Sequence, residues 1–266
     1  MKKKSIFLLS VVLYVQLIFA QDNFTVIKVS GNIVIERTGS SLSIGTAFAQ
    51  NENLLFKIPE SRAAVINPQR GRFLLTSGNL DEFRNSKSNF LPSAVKMSTR
   101  SIGKKPRITD LKDQFEGNYV IFNEIKILID TAVFPLSGKK YFYFTYDYKS
   151  KTINKKLTFY FDTLLIKKDE LLTVDGKVIQ DPQISQMKLI YLQEGETYVS
   201  TPVCSFTPVF PDFKVLTKEI KIIIDQMDMK TDYEKLNEIS SFIHEFYGKV
   251  DENILRKWLN ENFGLI

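Results

Sequence analysis

The sequence predicts a mainly β protein: a small β domain, then an antiparallel β-sandwich with a C-terminal helical hairpin. Three observations carry that prediction. Residues Tyr141 to Asp162 fold back on themselves in matched aromatic pairs. Short β-branched runs recur between turn residues along most of the chain. After Pro211 the apolar period lengthens from two to between three and four. The division that follows is a leader at 1–20, a first β domain at 21–79, a linker at 80–114, a sandwich at 115–210, and a helical segment at 211–266 packed on the β domain.

The N-terminus has the layout of a secretory signal peptide. Lys2, Lys3 and Lys4 form a basic region, Ile6 to Phe19 an apolar one, and a cleavage site follows Ala20. The apolar run is shorter than the roughly 20 residues a spanning helix needs, and Gln16 interrupts it. Cleavage therefore outranks anchoring, and no membrane span is expected after it. Gln21 directly after the cut resembles envelope proteins of Gram-negative bacteria. The single cysteine, Cys204, has no internal partner; in its apolar VCSF setting it reads as a buried, inert thiol. The net charge is +6, but loss of the three leader lysines leaves 33 basic against 30 acidic residues, or +3. So weak and evenly spread a charge argues against nucleic acid.

In the first domain the strand candidates are Val26–Val29, Ile33–Ile35, Leu54–Ile58, Ala64–Ile66 and Phe73–Leu75, punctuated by Gly31, Gly39, Gly45, Gly71 and Gly78. Short strands at such spacing suggest a small barrel or roll. The pattern runs through Val29-Ser30-Gly31-Asn32-Ile33, then Gly39, Leu42 and Gly45, then Leu54-Leu55, then Ala63 to Ile66 before Gly71. It resembles the FecR-like domain. That resemblance covers about the first fifth of the chain and implies a periplasmic module used for protein contact or signal relay, with no catalytic residues to carry over. FecR regulators usually keep a membrane anchor and a cytoplasmic segment, and neither is read here, so relay to a sigma factor is not expected.

The linker is rich in Ser, Lys and Asn, with Pro92 and Pro106 limiting regular structure. Its Arg100, Lys104, Lys105 and Arg107 read as a solvated charge run before they read as a site for an acidic partner or lipid head group. In the sandwich, Tyr119–Phe122 and Glu124–Ile129 come first, the latter alternating Ile125, Ile127 and Ile129 with polar neighbours. The central hairpin follows. Folding about the SKTI stretch sets Phe142 against Phe161, Phe144 against Phe159 and Tyr146 against Leu157, with the four phenylalanines placed in the core. The other face then pairs Tyr143 with Tyr160, Thr145 with Thr158 and Asp147 with Lys156. Further strands are expected at Thr163–Ile166, Leu171–Val174, Lys177–Ile179, Met187–Leu192, Thr197–Ser200 and Val203–Phe206. Asp175-Gly176 and Glu194-Gly195 are the turns.

Beyond the sandwich, Lys218 to Met229 reads as helix or a last strand. Tyr233, Leu236, Ile239, Ile243 and Phe246 mark a helix with Asp232 as N-cap and Gly248 as stop. Asp251 starts another, with Leu255 and Trp258 on its apolar face, ended by Gly264.

No hydrolase, metalloprotease or nucleotide-binding motif appears, and His244, the only histidine, reads as a surface residue. Asp130, Asp147, Asp162 and Glu170 are acids that nothing pairs into a glycosidase site. No catalytic residue, cofactor or metal is assigned. The candidate binding surface is Tyr141, Tyr143 and Tyr160, amphipathic residues suited to a protein or a glycan if that face is open; cover by a helix or second sheet is the default. The expectation is an exported, non-enzymatic envelope protein, periplasmic or on the cell surface, acting through protein contact. A carbohydrate- or peptidoglycan-binding module is the alternative, and a carboxylate-based hydrolase comes third.

Overall fold

The computed structural model describes residues 23–87, 111–179 and 182–265. The leader and the basic run at 100–107 lie outside them. The described residues form two compact units, each built from two stretches of chain: 23–87 with Phe213–Ile239, and 111–212 with the residues from Ser240 onward. Strand outweighs helix and the pairing is mostly antiparallel, as the sequence predicts.

The first unit begins with β1 (Asn23–Ser30), β2 (Ile33–Ile35), β3 (Ala47–Ala49), β4 (Leu54–Phe56), β5 (Arg62–Asn67) and β6 (Gly71–Thr76), followed by the short helix α1 (Leu80–Asn85). Four strands make one sheet in the order β3-β1-β5-β6, and β2 pairs with β4. One face of the sheet packs Phe24, Val26, Val65 and Leu75 against Ile33, Leu54 and Phe83. Gly31 takes a left-handed φ of 85°, and a Cβ there would lie 2.3 Å from Ser61 Oγ, so the turn out of β1 requires glycine. Strand β3 was not expected: AFA is too short a run to stand out.

The second unit opens with α2 (Leu111–Gln114), β7 (Asn118–Val120) and β8 (Glu124–Leu128). Then come β9 (Lys140–Tyr148), β10 (Lys151–Lys156), β11 (Thr158–Tyr160), β12 (Thr163–Lys167) and α3 (Lys168–Leu171). A small ribbon of β13 (Thr173–Val174) and β14 (Lys177–Val178) precedes the long hairpin of β15 (Met187–Glu194) and β16 (Tyr198–Val209). A five-stranded sheet, β10-β9-β15-β16-β7, faces a three-stranded one, β11-β12-β8. Between them Phe142, Phe144, Leu189 and Phe206 of the first meet Ile125, Ile127, Leu164 and Ile166 of the second. The rings lock together: Phe115 stacks on Phe206 at 4.8 Å, and Phe144 meets both edge-on. Thr197–Ser200 and Val203–Phe206, expected as two strands, are one, with a register shift that accommodates Pro202.

The central hairpin departs from the expected register by four residues. Lys149 and Ser150, at φ 47° and 61°, form a two-residue turn that sets Tyr148 opposite Lys151 and Tyr146 opposite Ile153. Tyr143 therefore faces Lys156, Thr145 faces Asn154, and Asp147 faces Thr152. The shift is even, so Phe142, Phe144 and Tyr146 keep the core face. The returning arm, however, leaves the sheet at Leu157: β11 pairs with β12 in the opposite sheet. Phe159 is half-buried there, and Phe161, expected in the core, is 94% exposed. Strands that switch sheets at a corner are ordinary in sandwiches.

Three helices follow: α4 (Phe213–Gln226), α5 (Asp232–Phe246) and α6 (Glu252–Phe263). The segment was expected to pack on the β domain. In the structure α4 belongs to the first unit and packs on β1 and β5, α5 divides between the units, and α6 belongs to the second. Leu216, Glu219, Ile220 and Ile223 form the buried stripe of α4. Its acid is matched: Lys28 Nζ donates to Glu219 Oε1 at 2.8 Å, with the Glu219 side chain wholly buried. A register shift between Val26 and Lys28 puts Lys28 opposite Ala64, on the side that α4 covers; unbroken alternation would send it to the core beside Val26. Arg72, opposite Ile66 on that same side, pairs with Glu238 of α5, both buried.

Thr231, not Asp232, caps α5: its hydroxyl accepts from Glu234 N–H, while Glu234 Oε2 accepts from Thr231 N–H. Asp251 caps α6 as expected, accepting from the N–H groups of Asn253 and Ile254, and Gly264 closes it at φ 68°. Gly248 has φ 118° and a backbone so close to β7 that a Cβ would lie 2.2 Å from the Asn118 carbonyl oxygen.

Candidate functional site

Two of the three predicted surface residues come together. Tyr141 and Tyr143 project from β9 on the side of the five-stranded sheet away from the core. With them lie Thr145, the β10 residues Thr152, Asn154 and Lys156, the β15 residues Lys188, Ile190 and Leu192, and Tyr198 and Ser200 of β16. None of these side chains is buried: Tyr141, Tyr143, Thr145, Ile190 and Leu192 are half-buried and the rest exposed. Among the described residues the face is open. The cover expected as the default is not found there.

Tyr160 does not join them. It stands on β11 in the other sheet, 64% exposed, next to Phe161 at a hairpin tip. Phe161 takes φ 55°, a conformation that costs a bulky side chain energy, and nothing among the described residues packs on its ring to compensate. The sequence reading missed this displayed aromatic, because its pairing scheme sent the ring inward.

Local chemistry distinguishes the two tyrosines of the open face. Lys156 Nζ lies 3.6 Å from the Tyr141 ring centroid, and the Tyr141 hydroxyl donates to Glu194 Oε1 at 3.1 Å. The phenol is held above its ordinary value, by loss of hydration first and by the Glu194 carboxylate next. One face of that ring is thus already occupied by a cation. Tyr143 lies between Lys156 and Ile190 in the register, and among the described residues no ammonium sits over its ring. The surface is a half-apolar strip of Tyr143, Ile190 and Leu192 with a polar margin, the composition of a protein contact.

Core tyrosines differ. Burial pushes Tyr146 up to about 12, its hydroxyl donating to the Leu171 carbonyl oxygen. Burial also raises Tyr119, which accepts from Gln114 Nε2 at 2.8 Å, and Tyr191, which donates to the Pro135 carbonyl oxygen.

The acids weighed from sequence serve local structure. Asp130 Oδ1 accepts from Ala132 N–H, Asp147 from the Thr152 hydroxyl at 2.8 Å, and Glu170 from Lys167 Nζ at 2.9 Å. Asp147 does not pair with Lys156. Among the described residues no three His, Cys, Asp or Glu side chains gather as a metal site. His244 is exposed, and Cys204 is half-buried on β16, not fully buried. No described helix is long and apolar enough to cross a membrane.

A concavity of about 290 Å³ lies where β8 meets α6. Trp258 packs on Phe122 and Phe263 along its wall, with centroids at 5.6 and 5.7 Å. Its rim charges answer each other, Lys126 with Glu124 and Lys257 with Glu261. The chain matches no family model, no curated protein and no solved structure.

Proposed function

We propose that this chain is an exported, non-enzymatic envelope protein that works by protein–protein contact through the open face of its five-stranded sheet. The observation that carries the reading is the half-apolar strip of Tyr143, Ile190 and Leu192, left without cover among the described residues. Large aromatic surfaces left open on a folded domain are usually there to be covered by something else. The leader read from Lys2 to Ala20 supports export, and the FecR-like pattern of the first domain supports a periplasmic setting. Glycan binding is the weaker reading, since one face of the Tyr141 ring is taken by Lys156 and Tyr160 lies on another sheet.

The test is site-specific photo-cross-linking in living cells, with the photoreactive residue placed at Tyr143, at Ile190, and at Lys257 on α6 as control. Discrete protein adducts from the first two positions and none from the third are expected. Adducts absent at Tyr143 and Ile190, or equal at all three, contradict the reading. Sequencing of the mature N-terminus checks export separately: removal near Ala20 is expected, and an intact leader in the cytosol contradicts it.

A further inference from the structure

The free edge of β10 offers a second, chemically different surface. Leu157 N–H donates to the Phe142 carbonyl oxygen, so the alternating ladder bonds Lys151, Ile153 and Lys155 to β9. The N–H and C=O groups of Thr152, Asn154 and Lys156 consequently point away from β9. Strand β10 ends the order of its sheet, and among the described residues none pairs with that edge. Alongside lies an open groove of about 590 Å³ between β10 and the β13–β14 ribbon. Ile153, Val174 and Ile179 give it an apolar wall, and Lys149, Lys151 and Lys177 stand around it. Among the described residues one carboxylate answers those three ammonium groups: Asp175, 3.9 Å from Lys151 and mostly exposed. Lys155 is engaged elsewhere, its ammonium donating to the Thr173 carbonyl oxygen.

An unpaired strand edge is a template for another strand, and lysines are what natural proteins place there to repel the wrong one. A second copy of this chain would bring its own Lys151, Lys155 and Lys156 against these, a like-charge register that opposes self-association. The same lysines favour an acidic visitor. We infer that the β10 edge and its groove accept an extended, acidic segment of another protein. That segment adds as a strand, with carboxylates toward Lys149, Lys151 and Lys177 and an apolar side chain toward Ile153 and Val174. Backbone bonds to Thr152, Asn154 and Lys156 supply affinity, and the groove supplies specificity. This site is separate from the tyrosine strip, and either can fail without the other.

The test uses the full mature chain and a fluorescent peptide of about eight residues, an ordinary strand length, in which glutamate and valine alternate with threonine. Saturable binding that weakens as salt rises is expected. The triple variant Lys149→Glu, Lys151→Glu, Lys177→Glu should weaken it by roughly tenfold or more, since charge complementarity sets partner choice. Asn154→Pro removes an outward donor while sparing the bonds to β9, which an edge strand tolerates, and should weaken it comparably. Unchanged circular dichroism and melting temperature establish that both variants fold. The inference is overturned by no binding, by equal binding of a peptide with lysine for glutamate, or by insensitivity to either variant. Loss with the charge variant but not with Asn154→Pro would leave an anion site and no added strand.

Discussion

The first sheet and the five-stranded sheet solve the same problem in opposite ways. Each buries one face in a core, Phe24 and Val65 in one case, Phe142 and Leu189 in the other. On the far side of the first sheet lie Lys28 and Arg72, cations that α4 and α5 cover while answering them with Glu219 and Glu238. On the far side of the five-stranded sheet lie Tyr141, Tyr143 and Ile190, half-apolar groups that no described element buries. Covering a charge demands a partner of opposite sign at hydrogen-bond distance. Leaving a tyrosine uncovered demands nothing, because its ring and hydroxyl tolerate both water and a protein neighbour. The difference separates a sheet with described elements on both sides from one whose tyrosines no described element buries.

The largest expected effects break each core in its own currency. Glu219→Ala leaves Lys28 partly buried without its carboxylate and should cost about 3–5 kcal/mol, as loss of one partner of a buried pair does. Replacing both partners, Lys28→Met with Glu219→Leu, should recover most of that loss. In the sandwich, Phe144→Ala opens a cavity among Phe115, Phe206 and Leu189 and should cost about 3–5 kcal/mol, with no second-site charge change able to repair it. Denaturant melts followed by circular dichroism measure all three.

An intermediate effect separates the units by pH. Tyr146 ionises near 10 when unfolded and at about 12 when folded. Below pH 10 both states hold the proton. Between pH 10 and 12 only the unfolded state releases it, so stability falls as pH rises through that window. The Tyr146→Phe variant should lose stability less steeply there, in a titration of melting temperature from pH 8 to 12.

Smaller effects belong to positions outside the cores. Phe161→Gly should raise stability by about 0.5–1 kcal/mol, because glycine adopts the left-handed conformation freely and the exposed ring forfeits little. Tyr143→Ser should shift stability by under about 0.5 kcal/mol, as surface changes usually do, while removing most of the cross-link yield at the open face.

What the sequence disclosed follows the same division. The sandwich was readable because its strands alternate: Ile125 and Ile127 on β8, and Asp175-Gly176 at the β13–β14 turn with φ 51° and 73°, lie where pattern and turn chemistry put them. The hairpin register was not, because ring-to-ring matching rewards Phe144 with Phe159, whereas the two-residue turn at Lys149-Ser150 decides the pairing. The fate of α4 was hidden too. An acid in the middle of Leu216, Ile220 and Ile223 blurs the helical stripe, and its partner Lys28 lies 191 residues away. Long-range charge pairing leaves no local trace. The open face was half legible: the alternation of Tyr141 and Tyr143 with Phe142 and Phe144 separates the sides of β9, but only packing shows whether one stays bare.

The contrast between a sealed sheet and an open one is tested most directly by covalent footprinting of tyrosines in the purified chain. Tyr143 and Tyr198 should label readily while Tyr119, at the sandwich core, stays unmodified until the protein unfolds. Tyr143 as unreactive as Tyr119 in the folded chain would show the face to be covered, and would contradict the account.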